Sequence, residues 1–246
     1  MNSSRYYGKP LIDIDGLPMV EHVRRRTLMC NAFYKVIVAT CDVEIFNCIE
    51  KHGGEGMMTS KLHEMASDRV AEVASHFECT HIVNVQGDEI LTLPEDLTNF
   101  ARNIKANPNT PYWCSIAKIQ NQEELSDQNI VKCFITKSNR VFSCERNSSN
   151  YLNLVNFNPI RKLLGVFGYK RSALFDYWKL ARTPLEINQR IDIMRIIEND
   201  LPVKGIEFKC EYPGINDKKE EEYVRKIMKE DLEQKKINSK VLAGNI

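Results

Sequence analysis

The residues best suited to chemistry are Gln86-Gly87-Asp88-Glu89, at the end of the run His81-Ile82-Val83-Asn84-Val85. β-Branched apolar residues make that run a buried strand, and Gly87 releases it into a turn where an acid can face a crevice. In open α/β sheets ligands bind in the crevice beyond the carboxyl ends of the strands. An acid there can hold Mg²⁺, which prefers oxygen ligands and keeps waters and substrate phosphates in the rest of its shell. The same pattern also fits a strand ending in a solvated polar turn. A second candidate is Ser3-Ser4-Arg5-Tyr6-Tyr7-Gly8-Lys9. Hydroxyls, a glycine and two cations four residues apart suit a loop that wraps a triphosphate, with Lys9 as a point charge and Arg5 as a planar fork. A frayed basic terminus has the same composition.

The elements that must hold these groups alternate along the chain. Pro18 opens a helix with apolar residues at 19, 20 and 23, and the Arg24–Arg26 run falls on its solvated face. A short strand at 35–40, a helix at 43–50 and a strand at 56–59 follow, then a helix from 67 capped by Ser67, which leads into the 81–86 strand. A helix runs from Pro94 to about Ala106, and residues 112–119 are a strand. This βα alternation predicts an α/β fold with a mainly parallel, doubly wound sheet. Residues 130–136 and 140–144 read as a hairpin, followed by an Asn-rich loop at 147–158 and a strand at 163–169. This 130–170 stretch is a β excursion suited to subunit contacts. Helices near 171–181 and 186–199, a strand at 203–209 and a charged helix from about Lys218 complete a single domain spanning 1–234. Residues 235–246 carry little core pattern and are expected to be a loose tail.

With 246 residues, 43% hydrophobic and 27% charged, the composition is that of a soluble globular protein. A formal net charge of +1 gives no bulk attraction to nucleic acid or to a membrane surface, so neither is expected as a partner. No apolar run approaches a membrane span and the first residues lack the core of a signal peptide, which predicts a cytoplasmic protein. The eight cysteines form no C-x-x-C pair and read as reduced, mostly buried thiols. There is no G-x-x-x-x-G-K-S/T loop, G-x-G-x-x-G fingerprint or G-x-S-x-G elbow.

Several stretches in one order carry a more specific signal: SSRYYGKPL at 3–11, GLPMVEHV at 16–23, VIVAT at 36–40, Met58-Thr59 through His63 with SDRVAEV at 67–73, and VNVQGDE at 83–89. Weaker matches continue at 129–132, 164–169, 183–186 and 213–217. Together they resemble the CMP-Kdo synthetases, the cytidylyltransferases that activate 3-deoxy-manno-octulosonate. The resemblance covers about residues 1–230. It implies a Rossmann-like nucleotidyltransferase fold, a homodimer, CTP and an acid sugar (an ulosonate) as substrates, Mg²⁺ as cofactor, and a CMP-sugar and pyrophosphate as products for surface polysaccharide synthesis.

It also implies roles. Lys9, Arg5 and Asp88 are the catalytic candidates. Ser3, Ser4, Arg5, Lys9, Met58, Thr59, Ser67, Arg69 and Gln86 are candidates for binding the nucleotide. Gln86, Leu163, Phe167, Glu186, Asp192 and Ile193 stand at sugar-binding positions, and Asp88 and Asp217 at the positions of the two metal-holding carboxylates. In the family a His and a Tyr occupy the positions of Leu163 and Phe167, and a Glu and a Gln those of Asp192 and Ile193. Loss of those polar partners predicts a change in the accepted sugar. Glu186 is retained, and Arg195 keeps a cation on the same helix. Cys41 replaces an acid and reads as a neutral, buried substitution. Two alternatives stand beside this reading: an enzyme of the same fold acting on a nonulosonate or another sugar acid, and an inactive nucleotide-binding relative. The family also places an apolar strand and a Pro-Ala-Arg-like turn before the segment matching residues 1–5. A sheet lacking a central strand leaves backbone groups unpaired, which predicts about ten further residues ahead of Met1.

Overall fold

The computed structural model describes residues 6–148, 151, 158–209 and 214–244. Ser3, Ser4 and Arg5 of the expected nucleotide loop, most of the 147–158 loop, Cys210 and Pro213 lie outside the described residues. In chain order the elements are a 3₁₀ turn (Lys9–Leu11), β1 (Asp13–Ile14), β2 (Leu17–Pro18), α1 (Met19–Leu28), β3 (Val38–Thr40), α2 (Val43–Lys51), β4 (Gly56–Met58), α3 (Ala66–Ser75) and β5 (His81–Val85). They continue with α4 (Pro94–Ala106), β6 (Tyr112–Lys118), α5 (Gln122–Ser126), β7 (Lys132–Ile135), β8 (Arg140–Glu145) and β9 (Ile160–Lys170). The last are α6 (Arg171–Lys179), α7 (Pro184–Gln189), α8 (Ile193–Glu198), β10 (Val203–Glu207), α9 (Lys218–Glu230) and α10 (Leu232–Ala243). The chain divides into two compact units, Met1–His63 with Val85–Arg102 and Tyr212–Ile246, and Glu64–Asn84 with Asn103–Glu211. The 1–234 stretch expected as one domain is therefore shared between two units.

In the first unit β3, α2 and β4 form a βαβ step whose strands pair in parallel, Val38 opposite Gly56. Ile45 and Ile49 from α2 bury against Val20 of α1, with Leu11 and Val38 packed on them. Two expectations fail here for the same reason. The Arg24–Arg26 run is not a solvated face: Arg24 and Arg25 both donate to the buried Glu21 carboxylate at 2.6 Å. Arg26 is buried and donates to Gln234 Oε1 at 2.7 Å. Nor is the stretch from 235 a loose tail, because α10 buries Ile237 and Val241 and receives Arg25 on the Val241 carbonyl at 2.8 Å. Arg25 and Arg26 bond to the last helix while Arg24 bonds to Glu21 and the His52 carbonyl, and neither pattern shows these partners when read alone.

The second unit is built on a six-stranded sheet in the order β5-β9-β6-β10-β8-β7. β10 and β6 are parallel, but β9 runs antiparallel to both β6 and β7, and β8 antiparallel to β7 and β10. The expected hairpin at 130–144 exists, yet it joins the main sheet and makes it mixed where a mainly parallel one was expected. The physical reason is β9, eleven residues long, whose first residues pair with β7 and β6 together while the rest continues along β6. The pairings β9–β6–β10–β8–β7–β9 thus close a ring of five strands. A bulge faces Ser115, whose hydroxyl donates to the Val166 carbonyl at 3.0 Å and accepts from the Val166 amide at 3.1 Å. It sets Leu163 opposite Ile116 and Phe167 opposite Cys114, so a bulge decides where these two side chains stand.

Lys132, buried in β7, spends its ammonium on the carbonyls of Asp127, Ile130 and Arg146 at 2.7, 2.8 and 2.7 Å. Burial nonetheless lowers its pKa to about 8. The helix expected over 186–199 is split into α7 and α8 by Arg190, which takes the left-handed conformation at φ 54°. Cys30, Cys114, Cys133 and Cys144 are buried free thiols, as expected, while Cys41 is only half-buried.

Candidate active site

The first unit holds Lys9, Met58, Thr59, Gln86, Asp88 and Asp217. Gly8, at φ 71°, opens the 3₁₀ turn, and the Lys9 amide closes on the Tyr6 carbonyl at 3.3 Å. The turn delivers Lys9 Nζ to Asp88 Oδ2 at 2.7 Å, with both side chains only 12% and 22% exposed. Asp88 follows β5 as expected, and the Glu89 amide donates to the Gln86 carbonyl at 3.1 Å to set the turn. The Ile215 amide donates to the Asp88 carbonyl at 3.3 Å, and a Cβ on Gly214 would lie 2.9 Å from that same oxygen. Only glycine allows so close an approach. Gln86 is half-buried, Met58 is exposed at the end of β4, and Thr59 is buried with its amide on the Thr40 carbonyl at 2.8 Å.

A cation and a carboxylate held together in this way can neutralise a polyphosphate and anchor a divalent ion. Asp88 suits Mg²⁺, since one protein carboxylate suffices when phosphates and waters fill the remaining positions. Asp217 suits it less, because its Oδ1 is the N-cap of α9 and accepts the Glu220 amide at 2.9 Å. Among the described residues no group of three His, Cys, Asp or Glu side chains forms a ready-made metal cage.

The second unit holds Ser67, Arg69, Leu163, Phe167, Glu186, Asp192 and Ile193. Ser67 is not the cap of α3, which starts after Met65. It is fully buried inside the first turn, its hydroxyl shared with Tyr169 at 2.8 Å and donated to Asp192 Oδ2 at 2.9 Å. Its amide also donates to Asp192, at 3.1 Å, so neither group faces solvent for a nucleotide. Burial pushes the Asp192 carboxyl up, and the two Ser67 donors pull it part of the way back. Arg69 lies half-buried on α3.

Glu186 is 0% exposed. Its carboxylate takes a fork from Arg195, Nε at 2.9 Å and Nη2 at 2.6 Å, and the Thr183 amide at 3.2 Å. Arg195 also reaches Asp68 Oδ1 at 2.9 Å and lies 4.3 Å from the Tyr177 ring centroid. Burial alone would lower its pKa; the bonds from Glu186 and Asp68 reverse that and hold it charged. Phe167 and Ile193 are buried in one apolar core with Leu163 packed against it. Of the positions picked as sugar-binding, Gln86 lies in the first unit; in the second, Leu163, Phe167 and Ile193 belong to an apolar core, and Glu186 and Asp192 are bonded internally to Arg195 and Ser67.

Sequence reasoning missed Tyr6, Asp68, Tyr169 and Glu221. For Glu221 a signal existed: it falls on the same helix stripe as Val224, Ile227 and Met228, which α9 buries. A carboxylate on an apolar stripe needs partners, and it finds Tyr6, Lys218 and Arg225.

The ion pair at the end of β5 and the parallel βαβ step suit a nucleotide-handling α/β protein, and comparison with known proteins gives the class. Residues 1–208 match the model of the cytidylyltransferases, and the chain belongs to that family. A 3-deoxy-manno-octulosonate cytidylyltransferase of Fusobacterium nucleatum is 32% identical over 94% of this chain and 94% of its own. One from Escherichia coli is 27% identical over 94% and 93%. The solved structure of a CMP:2-keto-3-deoxy-manno-octonic acid synthetase complexed with CTP superposes with a TM-score of 0.85 at 28% identity, covering 94% of this chain and 95% of that one. The Rossmann-like nucleotidyltransferase fold expected from the sequence is the fold observed.

Proposed function

We propose that the protein transfers CMP from CTP to the anomeric hydroxyl of 3-deoxy-manno-octulosonate or a related ulosonic acid and releases pyrophosphate, for surface polysaccharide synthesis. The observation that carries this reading is the Lys9–Asp88 pair, 2.7 Å apart on the loop and strand end that the family resemblance assigns to the triphosphate. The sugar hydroxyl attacks the α-phosphate while pyrophosphate leaves in line, so the chain's task is positioning and charge neutralisation. Lys9 binds the departing phosphates and stabilises charge that grows in the transition state. Asp88 is the residue that would hold Mg²⁺, which when bound supplies further neutralisation of the triphosphate. Gln86, in the same turn, orients nucleotide and sugar. In this reading the protein is a cytoplasmic homodimer, and Phe142, an exposed aromatic on β8, supports placing subunit contacts on the β7–β8 hairpin.

The resemblance assigns polar groups to the positions of Leu163, Phe167 and Ile193, and their replacement by apolar residues favours an acid sugar with a deoxy, amino or acylated tail over the ordinary octulosonate. The test is a panel of ulosonic and nonulosonic acids incubated with CTP and Mg²⁺, with CMP-sugars identified by mass spectrometry. Formation of a CMP-ulosonate is the expected result. A product from nonulosonates alone would replace the substrate, and no product from any acid would refute the reading.

A further inference from the structure

We infer that Glu221 is a positioning residue for the phosphate-binding loop: its carboxylate, through Tyr6, sets where Lys9 stands relative to Asp88. The inference rests on the proposed reading of Lys9 and Asp88 as the phosphate-facing groups. Glu221 is 2% exposed and collects three donors, the Tyr6 hydroxyl, Lys218 Nζ at 3.1 Å and Arg225 Nε at 2.8 Å. Burial would raise its pKa, and these bonds more than offset that, so the carboxylate is held ionised below its ordinary range. Lys218 and Arg225 lie on the same helix, three residues before and four after. Tyr6 lies 215 residues away in the chain. The helix does not need Glu221 as a cap, since Asp217 already fills that place.

Following the contacts outward from α9 returns to the same place. Tyr6, held by Glu221, offers its carbonyl to the Lys9 amide and so begins the turn that carries Lys9. Lys9 pairs with Asp88 at 2.7 Å. Asp88 is held by its backbone carbonyl to Ile215, with Gly214 pressed against it, and these residues lead into the Asp217 cap. Both members of the ion pair are therefore hung from the first turn of one helix, Asp88 through the segment that precedes it and Lys9 through Glu221. Removal of the Glu221–Tyr6 bond opens the ring on the Lys9 side while leaving Asp88 and the cap in place.

The test uses the full chain with Glu221→Gln, Tyr6→Phe and the double variant. Tyr6→Phe removes one hydroxyl at a partly exposed site and serves if Glu221→Gln does not fold. Acylation of Lys9 by an amine-reactive ester, followed by mass spectrometry, reads the position of the ammonium without any assumption about the reaction. Each single variant should raise the Lys9 acylation rate about threefold to tenfold, the factor that loss of one ordinary hydrogen bond allows. The double variant should go no further, because both changes break the same link. With CTP and the accepted sugar, kcat/KM should fall about tenfold or more, as misplacement of a phosphate contact allows. Unchanged Lys9 acylation in the single variants, or additive effects in the double variant, would overturn the inference. Raised acylation in a protein that transfers CMP to no acid would leave the role of Glu221 standing and remove the proposed function.

Discussion

Lys9 and Asp88 are the residues on which the account turns, and their pairing distance gives them different tests. Lys9 is a point charge held by a turn, so it should matter most where negative charge develops on the leaving pyrophosphate. Lys9→Ala is expected to lower kcat by more than it raises KM for CTP, in steady-state kinetics with both substrates varied. A raised KM with unchanged kcat would make Lys9 a binding residue only. In the second unit, Ser67, Asp192 and Glu186 show how a residue type that suits a site can be turned inward. Each is polar and stands at a position the resemblance singles out, yet each is bonded to a partner that only the fold supplies: Tyr169, Ser67 and Arg195.

Most elements were legible because their signals are local. The Pro18 and Pro94 helix starts, the β-branched runs at 36–40 and 81–85 and the hairpin at 130–144 lie close to where composition and period put them. What was not legible depends on partners distant in the chain. The Arg24–Arg26 run reads as solvated until α10 receives Arg25 and Arg26, and 235–246 reads as loose until those arginines pin it. Val241 then makes a discriminating test. It is fully buried, so Val241→Ala should cost about 2 kcal/mol in denaturant unfolding, against less than about 0.5 kcal/mol for a residue in a loose tail. His22 of α1 gives the pH counterpart. Its Nε2–H donates to the Ile14 carbonyl at 2.7 Å, and burial lowers its pKa from 6.5 to about 4. The folded state thus resists protonation, so the stability it contributes is present above pH 6.5 and is lost as pH falls toward 4. The full loss is about 3 kcal/mol, because each tenfold weakening of proton binding on folding is worth about 1.4 kcal/mol. Thermal unfolding should show a falling Tm between pH 6.5 and about 5 that flattens in His22→Leu. An equal slope in that variant would assign the effect to other groups.

At the scale of the whole molecule, the chain is a cytidylyltransferase with the Lys9–Asp88 pair in its first unit and the apolar core around Phe167 and Ile193 in its second. No helix among the described residues is long and apolar enough to cross a membrane. Phe167→Tyr, which adds one hydroxyl at a position proposed to select the sugar, should shift kcat/KM toward 3-deoxy-manno-octulosonate and away from less polar acid sugars. No change in the ratio would show that Phe167 does not face the sugar. The most direct measurement of the central claim is pyrophosphate release from CTP and Mg²⁺ with the accepted acid sugar, by the wild-type chain and by Asp88→Asn. The account predicts release matched by CMP-sugar in the wild type and turnover lower by orders of magnitude in Asp88→Asn, with Tm close to that of wild type. Turnover near the wild-type value in Asp88→Asn would contradict it.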